Sequence, residues 1–306
     1  MGCCYSSKNV LSSCYGRTPD YIIPVQYKVA LKLPHGLQYL DFDGTTFVKR
    51  NNIQEWVHSQ FLGKTFTNYI NYNDEHEDKM CAIGGHCKGC IAWNGNEVCW
   101  LIHSVPKFAV HFDEDGHIDL DETTIHSSEQ TYGQSFVFLS GLSIAQLPEF
   151  LQQISIMKPF IDCASTNSSL PLLTLEVAAS MLMSTISLSD ESSIHHVAKS
   201  PRNHIDLFSE MLQPALGGKW RCETWIRGHH CPIDVNRNVI DNNTITFDSI
   251  TYHSSQDHSK YACNDAGLVY IGDLNRMTTQ YQRGGGGIII EDAKLNKAII
   301  ELMDKE

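Results

Sequence analysis

His86-Cys-Lys-Gly-Cys-Ile-Ala-Trp-Asn-Gly-Asn-Glu-Val-Cys-Trp-Leu-Ile-His103 is the stretch from which the fold is read. Two apolar, aromatic-rich runs flank Asn94-Gly95, the strongest short signal for a hairpin, and a type I′ turn would set both central residues at positive φ. With those two residues as the loop, Trp93 faces Asn96, and the same register sets His86 opposite His103 and Cys90 opposite Cys99. Pleat alternation then gathers His86, Lys88 and His103 on one face and Ile91, Trp93, Val98, Trp100 and Ile102 on the other. The expectation is a core face and a cationic face, on which two imidazoles and an ammonium converge on one phosphate. Cys90 opposite Cys99 suits a cross-strand disulfide in an oxidising compartment, or two buried thiols in a reducing one.

A second unit of the same design begins at Asp257-His258-Ser259-Lys260. Again His-x-Lys opens a strand, a turn rich in Asn, Asp and Gly follows, and an apolar strand ends in polar residues. Trp100-Leu-Ile-His-Ser-Val-Pro-Lys107 aligns with Val269-Tyr-Ile-Gly-Asp-Leu-Asn-Arg276, which makes the pattern an internal repeat. Around these units the chain reads β-rich over 14–138, with a helix over 142–154 confined by Pro148. A second helix over 204–216 stops at Gly217-Gly218, a second β-rich stretch covers 220–290, and an amphipathic helix closes the chain at 292–302. The expected organisation is an N-terminal extension at 1–13, a first lobe at 14–160, a Ser- and Thr-rich bridge at 161–200 and a second lobe at 201–306.

The 306 residues suffice for a substantial core, and no apolar run reaches the eighteen or so residues of a membrane-spanning helix. A net charge of −12 repels nucleic acid at neutral pH, but protonation of all 15 histidines would bring the balance to about +3, which suits work in acid. Eleven cysteines leave at least one thiol free or paired with another chain. Residues 1–14 lack the apolar stretch of a secretory signal; Gly2 with Ser6 fits a myristoylation pattern, and Cys3 and Cys4 could take a second acyl chain, the one route to a membrane that the residues suggest. Cys87-x-x-Cys90 is half of a zinc motif, but its cysteines point to opposite faces of a strand and no second half exists. His229-His230 beside Cys231 reads as a solvated turn, and Gly284 to Gly287 as either a phosphate cradle or a close backbone approach at a strand start.

Gly85-His-Cys-Lys-Gly89, Trp100-Leu-Ile-His-Ser-Val-Pro-Lys-Phe108, Thr131-Tyr-Gly-Gln134, Asp257-His-Ser-Lys260 and Ile271-Gly-Asp-Leu-Asn-Arg276 with Gln282-Arg-Gly-Gly-Gly286 closely resemble deoxyribonuclease II, as do Cys14-Tyr-Gly16 and Gly36-Leu-Gln-Tyr39. The resemblance implies a phospholipase D-like fold, α+β or α/β in class, with two pseudo-symmetric lobes whose central β-sheets are flanked by helices. It implies an acid endonuclease that acts on DNA without a metal ion or other cofactor and leaves 3′-phosphate ends. Carried onto this sequence, the family's functional positions match His86, Lys88, His103, His258 and Lys260, with Asp273 and Asn275 as support in the second lobe. One of His86 and His258 would attack phosphorus while the other protonates the leaving 5′-oxygen, and the lysines would offset charge on the phosphate.

Lys107, Arg276 and Arg283 lie where backbone phosphates could pass, or are ordinary surface cations. The family is typically lysosomal or secreted, and Phe138 and Tyr270 stand where its disulfide cysteines are expected. Two other activities fit the same residues: a phosphodiesterase of this fold acting on RNA or lipid, and a catalytically silent DNA-binding homologue.

Overall fold

The computed structural model describes residues 26–76, 79–80, 84–165, 181–187, 193–225 and 238–303. The acylation pattern at Gly2, Cys3 and Cys4, the Cys14-Tyr-Gly16 motif and the His229-His230-Cys231 turn fall outside them.

In chain order the strands are β1 (Gln26–Lys32), β2 (Tyr39–Phe42), β3 (Phe47–Arg50), β4 (Asn68–Asn73), β5 (Glu75–His76), β6 (Lys79–Met80), β7 (Gly89–Trp93), β8 (Val98–His103), β9 (Gln134–Leu142) and β10 (Phe160–Ala164). They continue with β11 (Met181–Ser187), β12 (Ser193–Lys199), β13 (Trp220–Glu223), β14 (Val239–Asp241), β15 (Thr244–Phe247), β16 (Ile250–His253), β17 (Tyr261–Asn264), β18 (Leu268–Gly272) and β19 (Gly285–Glu291). The helices are α1 (Ile53–Phe61), α2 (Leu147–Met157), α3 (Gln213–Leu216), which continues a π-helical turn at Phe208–Leu212, and α4 (Ala293–Leu302).

Local chemistry explains the helix ends. Asn52 caps α1 by accepting the Gln54 N–H at 3.1 Å, and Asp292 caps α4 through the N–H groups of Lys294 and Leu295. Pro148 sits in the first turn of α2, where its missing N–H costs nothing, so the helix starts at Leu147 rather than at 142.

Two large sheets carry the fold. The first runs β10-β4-β7-β8-β9-β1-β2-β3 and the second β11-β12-β19-β18-β17-β13-β14. Read in opposite directions, β4-β7-β8-β9-β1 and β13-β17-β18-β19-β12 match strand for strand, and each set is followed in the chain by its helix, α2 or α4. One core lies between the sheets, where Ile91, Trp100, Ile102, Ile271, Ile288 and Ile290 meet residues of α2 and α4. Two further cores lie outside, one under α1 and one under the 208–216 segment, giving five alternating layers. Among the described residues of the span read as a bridge, 161–200, β10 is the edge strand of the first sheet, and β11 and β12 belong to the second.

The hairpin register differs from the expected one. Trp93 pairs with Val98 and Gly89 with Ile102, so four residues, Asn94 to Glu97, form the connection. The Asn94 side chain closes it by accepting the N–H groups of Asn96 and Glu97 at 2.8 and 3.0 Å, and neither Asn94 nor Gly95 takes positive φ. His103 therefore lies opposite Lys88, not His86, and donates its backbone N–H to the Lys88 carbonyl at 3.2 Å. Cys99 pairs with Ala92 and Cys90 with Leu101, so these two cysteines are not opposed; both are free, as are Cys87, Cys163, Cys222 and Cys263. Because the slip is an even number of positions, every side chain keeps its face. The face opposite Trp100 is nevertheless not a cationic surface: Cys90, Ala92, Cys99 and Leu101 fill the outer core, and the cations gather only at the strand ends.

The lobes join along those ends. Gly85 bridges Gly284 and Gly133 bridges Asp257, both in parallel sense, so the residue before each His-x-Lys touches the residue before the central strand of the other lobe. The fit leaves no room for side chains: a Cβ on Gly133 would lie 2.4 Å from Asp257 Oδ1, and one on Gly284 would lie 2.1 Å from the Met157 carbonyl oxygen. Close backbone approach is thus the role of the glycine run at 284–287.

Candidate active site

The two His-x-Lys segments enter β7 and β17 as extended backbone held across the lobe junction. The His86 N–H donates to the Gly284 carbonyl at 2.7 Å and the His258 N–H to the Gly133 carbonyl at 2.8 Å. The Lys88 carbonyl accepts the His103 N–H, and the Lys260 carbonyl accepts the Gly272 N–H at 2.9 Å, so His103 and Gly272 occupy equivalent positions, as the sequence alignment places them.

Around His86 the site is charged. Its Nδ1 lies 2.7 Å from the Asp273 carbonyl oxygen, which can only accept, so Nδ1 carries the proton and Nε2 keeps its lone pair. Asp74, which the sequence reading missed, stands 3.4 Å from His86 Nε2, 2.6 Å from Lys88 Nζ and 3.8 Å from Arg283 Nη2. Burial alone would push the Asp74 carboxyl up, but Lys88, His86 and Arg283 outweigh it and hold it well below the usual carboxylate range. Burial, then Lys88, lowers the His86 imidazole well below its ordinary value, with Asp74 opposing and Lys260 and Arg283 adding. Burial, helped by Lys88, brings Lys260 down to about 7 despite Asp74 and Asp273. Lysines from both lobes thus act on one another and on His86, which places the two His-x-Lys segments in a single electrostatic neighbourhood.

Asp273 accepts the Lys88 N–H at 3.3 Å and is buried strongly enough to rise to about 8, although Lys88 and Lys260 pull it down. His103 is fully enclosed, packed edge-on to Phe108 at 5.0 Å; burial, with Lys88, lowers it to about 3, and its Nδ1 accepts the Val105 N–H at 3.2 Å. His258 is half-buried: Tyr132 stacks on it at 4.0 Å and 9°, and Trp225 meets it edge-on at 4.4 Å. The Lys260 ammonium turns back to the His258 carbonyl.

The cations expected to meet phosphate fare differently. Arg276 is wholly buried in the second lobe and ion-paired to Asp206 at 3.1 Å and Asp241 at 2.7 Å, so its charge is neutralised inside the protein rather than presented to a substrate. Arg283 is 8% exposed and donates to the carbonyls of Gly84 and Gly85 at 3.1 and 2.8 Å, bracing the segment that carries His86. Lys107 is exposed, at φ 58°. Asn275 accepts the Trp225 backbone N–H at 3.2 Å, fixing the strand end from which that indole projects.

A second matched pair was invisible in the sequence. Lys32 ends β1 and Lys199 ends β12, both almost fully buried; Lys32 donates to the carbonyls of Gln130 and Tyr132, and Lys199 to those of Tyr281 and Arg283. Each ammonium ties down the turn before the central strand of its lobe. An apolar run ending in Lys reads as a strand reaching solvent, and the repeat read from the sequence, 86–107 with 257–276, includes neither lysine.

Comparison with known proteins agrees with this architecture. The family model for deoxyribonuclease II matches residues 22–305. The chain is 28% identical to deoxyribonuclease-2 of Caenorhabditis elegans, over 85% of this chain and 73% of that protein. It is 28% identical to deoxyribonuclease-2-beta of Mus musculus, over 94% of this chain and 89% of the relative, and 26% identical to plancitoxin-1 of Acanthaster planci, over 78% and 70%. With the match spanning both sheets and both His-x-Lys segments, the chain belongs to the deoxyribonuclease II family and is a hydrolase that acts on DNA.

Proposed function

We propose that this protein is an acid endonuclease that needs no metal ion and cuts DNA to 3′-phosphate and 5′-hydroxyl ends through a phosphohistidine. The observation that carries the reading is the tautomer of His86: Nδ1–H is held by the Asp273 carbonyl, and the ring is kept neutral by burial and by Lys88. Its Nε2 lone pair attacks phosphorus and forms a P–N bond as the P–O5′ bond breaks. His258, as imidazolium, gives its proton to the departing 5′-oxygen. Neutral His258 then takes a proton from water, whose oxygen displaces Nε2 and releases the 3′-phosphate. Lys88 and Lys260 offset the charge on the non-bridging oxygens, the role that a metal ion fills in many nucleases. His103, locked with Nε2–H by the Val105 contact, supports the Lys88 strand end from the first lobe, and Asp273 supports it from the second.

Acid favours this reaction twice: it populates the His258 imidazolium, and it erodes the net charge of −12 that repels DNA. The test is plasmid nicking from about pH 4 to 8 with EDTA present, for wild type, His86→Ala and His258→Ala. Chelator-resistant nicking with an acidic maximum, lost in both variants, is expected. Activity restored only by added divalent metal would overturn these roles.

A further inference from the structure

The correspondence between lobes extends to single positions. Tyr72 pairs with Gly89 as Glu223 pairs with Tyr261, so Asp74 and Trp225, two residues further on, hold equivalent places beside the two His-x-Lys segments. Lys32 pairs with Gln134 as Lys199 pairs with Gly285, so Tyr132 and Arg283, two residues before, are equivalent as well. The pair flanking His86 is therefore Asp74 with Arg283, and the pair flanking His258 is Trp225 with Tyr132. The pseudo-twofold relation that repeats the backbone exchanges a charged setting for an aromatic one.

We infer that Tyr132 and Trp225 are positioning residues that form an aromatic cage around His258 and hold its ring for proton delivery. Contacts that do not involve His258 hold the backbone at Tyr132 and both the backbone and the indole of Trp225. The Tyr132 carbonyl is pinned by Lys32 at 2.6 Å, while the Trp225 N–H donates to Asn275 and its Nε1–H to the Ser255 carbonyl at 3.2 Å. A near-parallel ring on one side and an edge contact on another restrict rotation of the imidazole about its side-chain bonds. Aromatic faces also attract an imidazolium without adding an anion. A carboxylate at this position would compete with the leaving oxygen for the proton that His258 delivers. The exchange therefore suits a histidine that must carry a positive charge to DNA.

This inference rests on the reading of His258 as the acid, and the experiment separates the two. In the full chain with labelled histidine, the His258 ring resonances, assigned with His258→Ala, are expected upfield from ring-current shielding by Tyr132. Tyr132→Phe keeps the upfield shift and activity within about threefold. Tyr132→Leu and Trp225→Leu lower kcat by about 10- to 100-fold with KM for plasmid little changed, and Trp225→Phe recovers most of that loss. Ordinary His258 shifts in the wild type would overturn the cage and leave the proposed reaction standing. Unchanged kcat in both leucine variants, with the shielding lost, would also overturn it. A shielded His258 in a chain that does not cleave DNA would overturn the reaction, and this assignment with it.

Discussion

His196 offers a test of how a protein with buried imidazoles responds to acid. It projects from β12 into the core between the sheets, fully enclosed, stacked on Trp100 of the other sheet at 4.6 Å and 20°. Its Nδ1–H donates to Gln153 Oε1 at 2.9 Å, and burial lowers the imidazole from 6.5 to about 3. The sign follows from which state takes the proton. Between pH 6.5 and 3 the unfolded chain binds it and the folded chain does not, so this residue's contribution falls as pH falls through that window. The slope is about 1.4 kcal/mol per pH unit, or about 3 kcal/mol by pH 4.5. His196→Asn keeps a donor for Gln153 but removes the stacked ring, which costs about 2 kcal/mol at neutral pH. In urea denaturation the variant is expected to be weaker than wild type at pH 7.5 and equal or stronger at pH 4.5. The same stability gap at both pH values would refute the reasoning.

Two further perturbations address the site and the junction. Asp74→Asn leaves Lys88 buried without its carboxylate and should lose about 3–5 kcal/mol in urea denaturation; because the carboxyl is held below its ordinary range, the loss should be equal at pH 7 and pH 5 and shrink only as pH drops below about 4. Gly133→Ala drives a methyl to within 2.4 Å of Asp257 Oδ1 and should lower stability by about 1–3 kcal/mol in urea denaturation. Because the Gly133 carbonyl holds the His258 N–H, plasmid nicking should fall as well, and full activity at unchanged stability would contradict this close packing of the two lobes.

The architecture was largely legible because its main signal is repetition. His-x-Lys, a turn and an apolar strand occur twice, and the structure places His103 and Gly272 at matched positions. The alternation that assigned Trp100 and Ile102 to a core face held even though the register did not, since an even slip preserves the face, and that face lies in the core between the sheets. The slip itself came from the Asn94 side chain, which caps a four-residue connection where a two-residue turn was expected. A side-chain hydrogen bond of that kind leaves no periodicity to read.

Charged residues were where reading along the chain ran out. Arg276 reads as a surface cation beside a motif, yet Asp206 and Asp241 hold it inside the second lobe. Asp74 and Trp225 share a structural position but no sequence similarity, so the repeat that revealed the histidines concealed their surroundings. The β-rich stretches, the amphipathic closing helix and the residue types of the candidate site follow from local chemistry: apolar alternation, turn residues and spacing act between near neighbours and are written in order along the chain. Which cation meets a carboxylate, which lysine is buried against carbonyls and which ring covers His258 depend on residues far apart in sequence. Those pairings exist only once the lobes close on one another, because desolvation and Coulomb energy act through space rather than along the backbone.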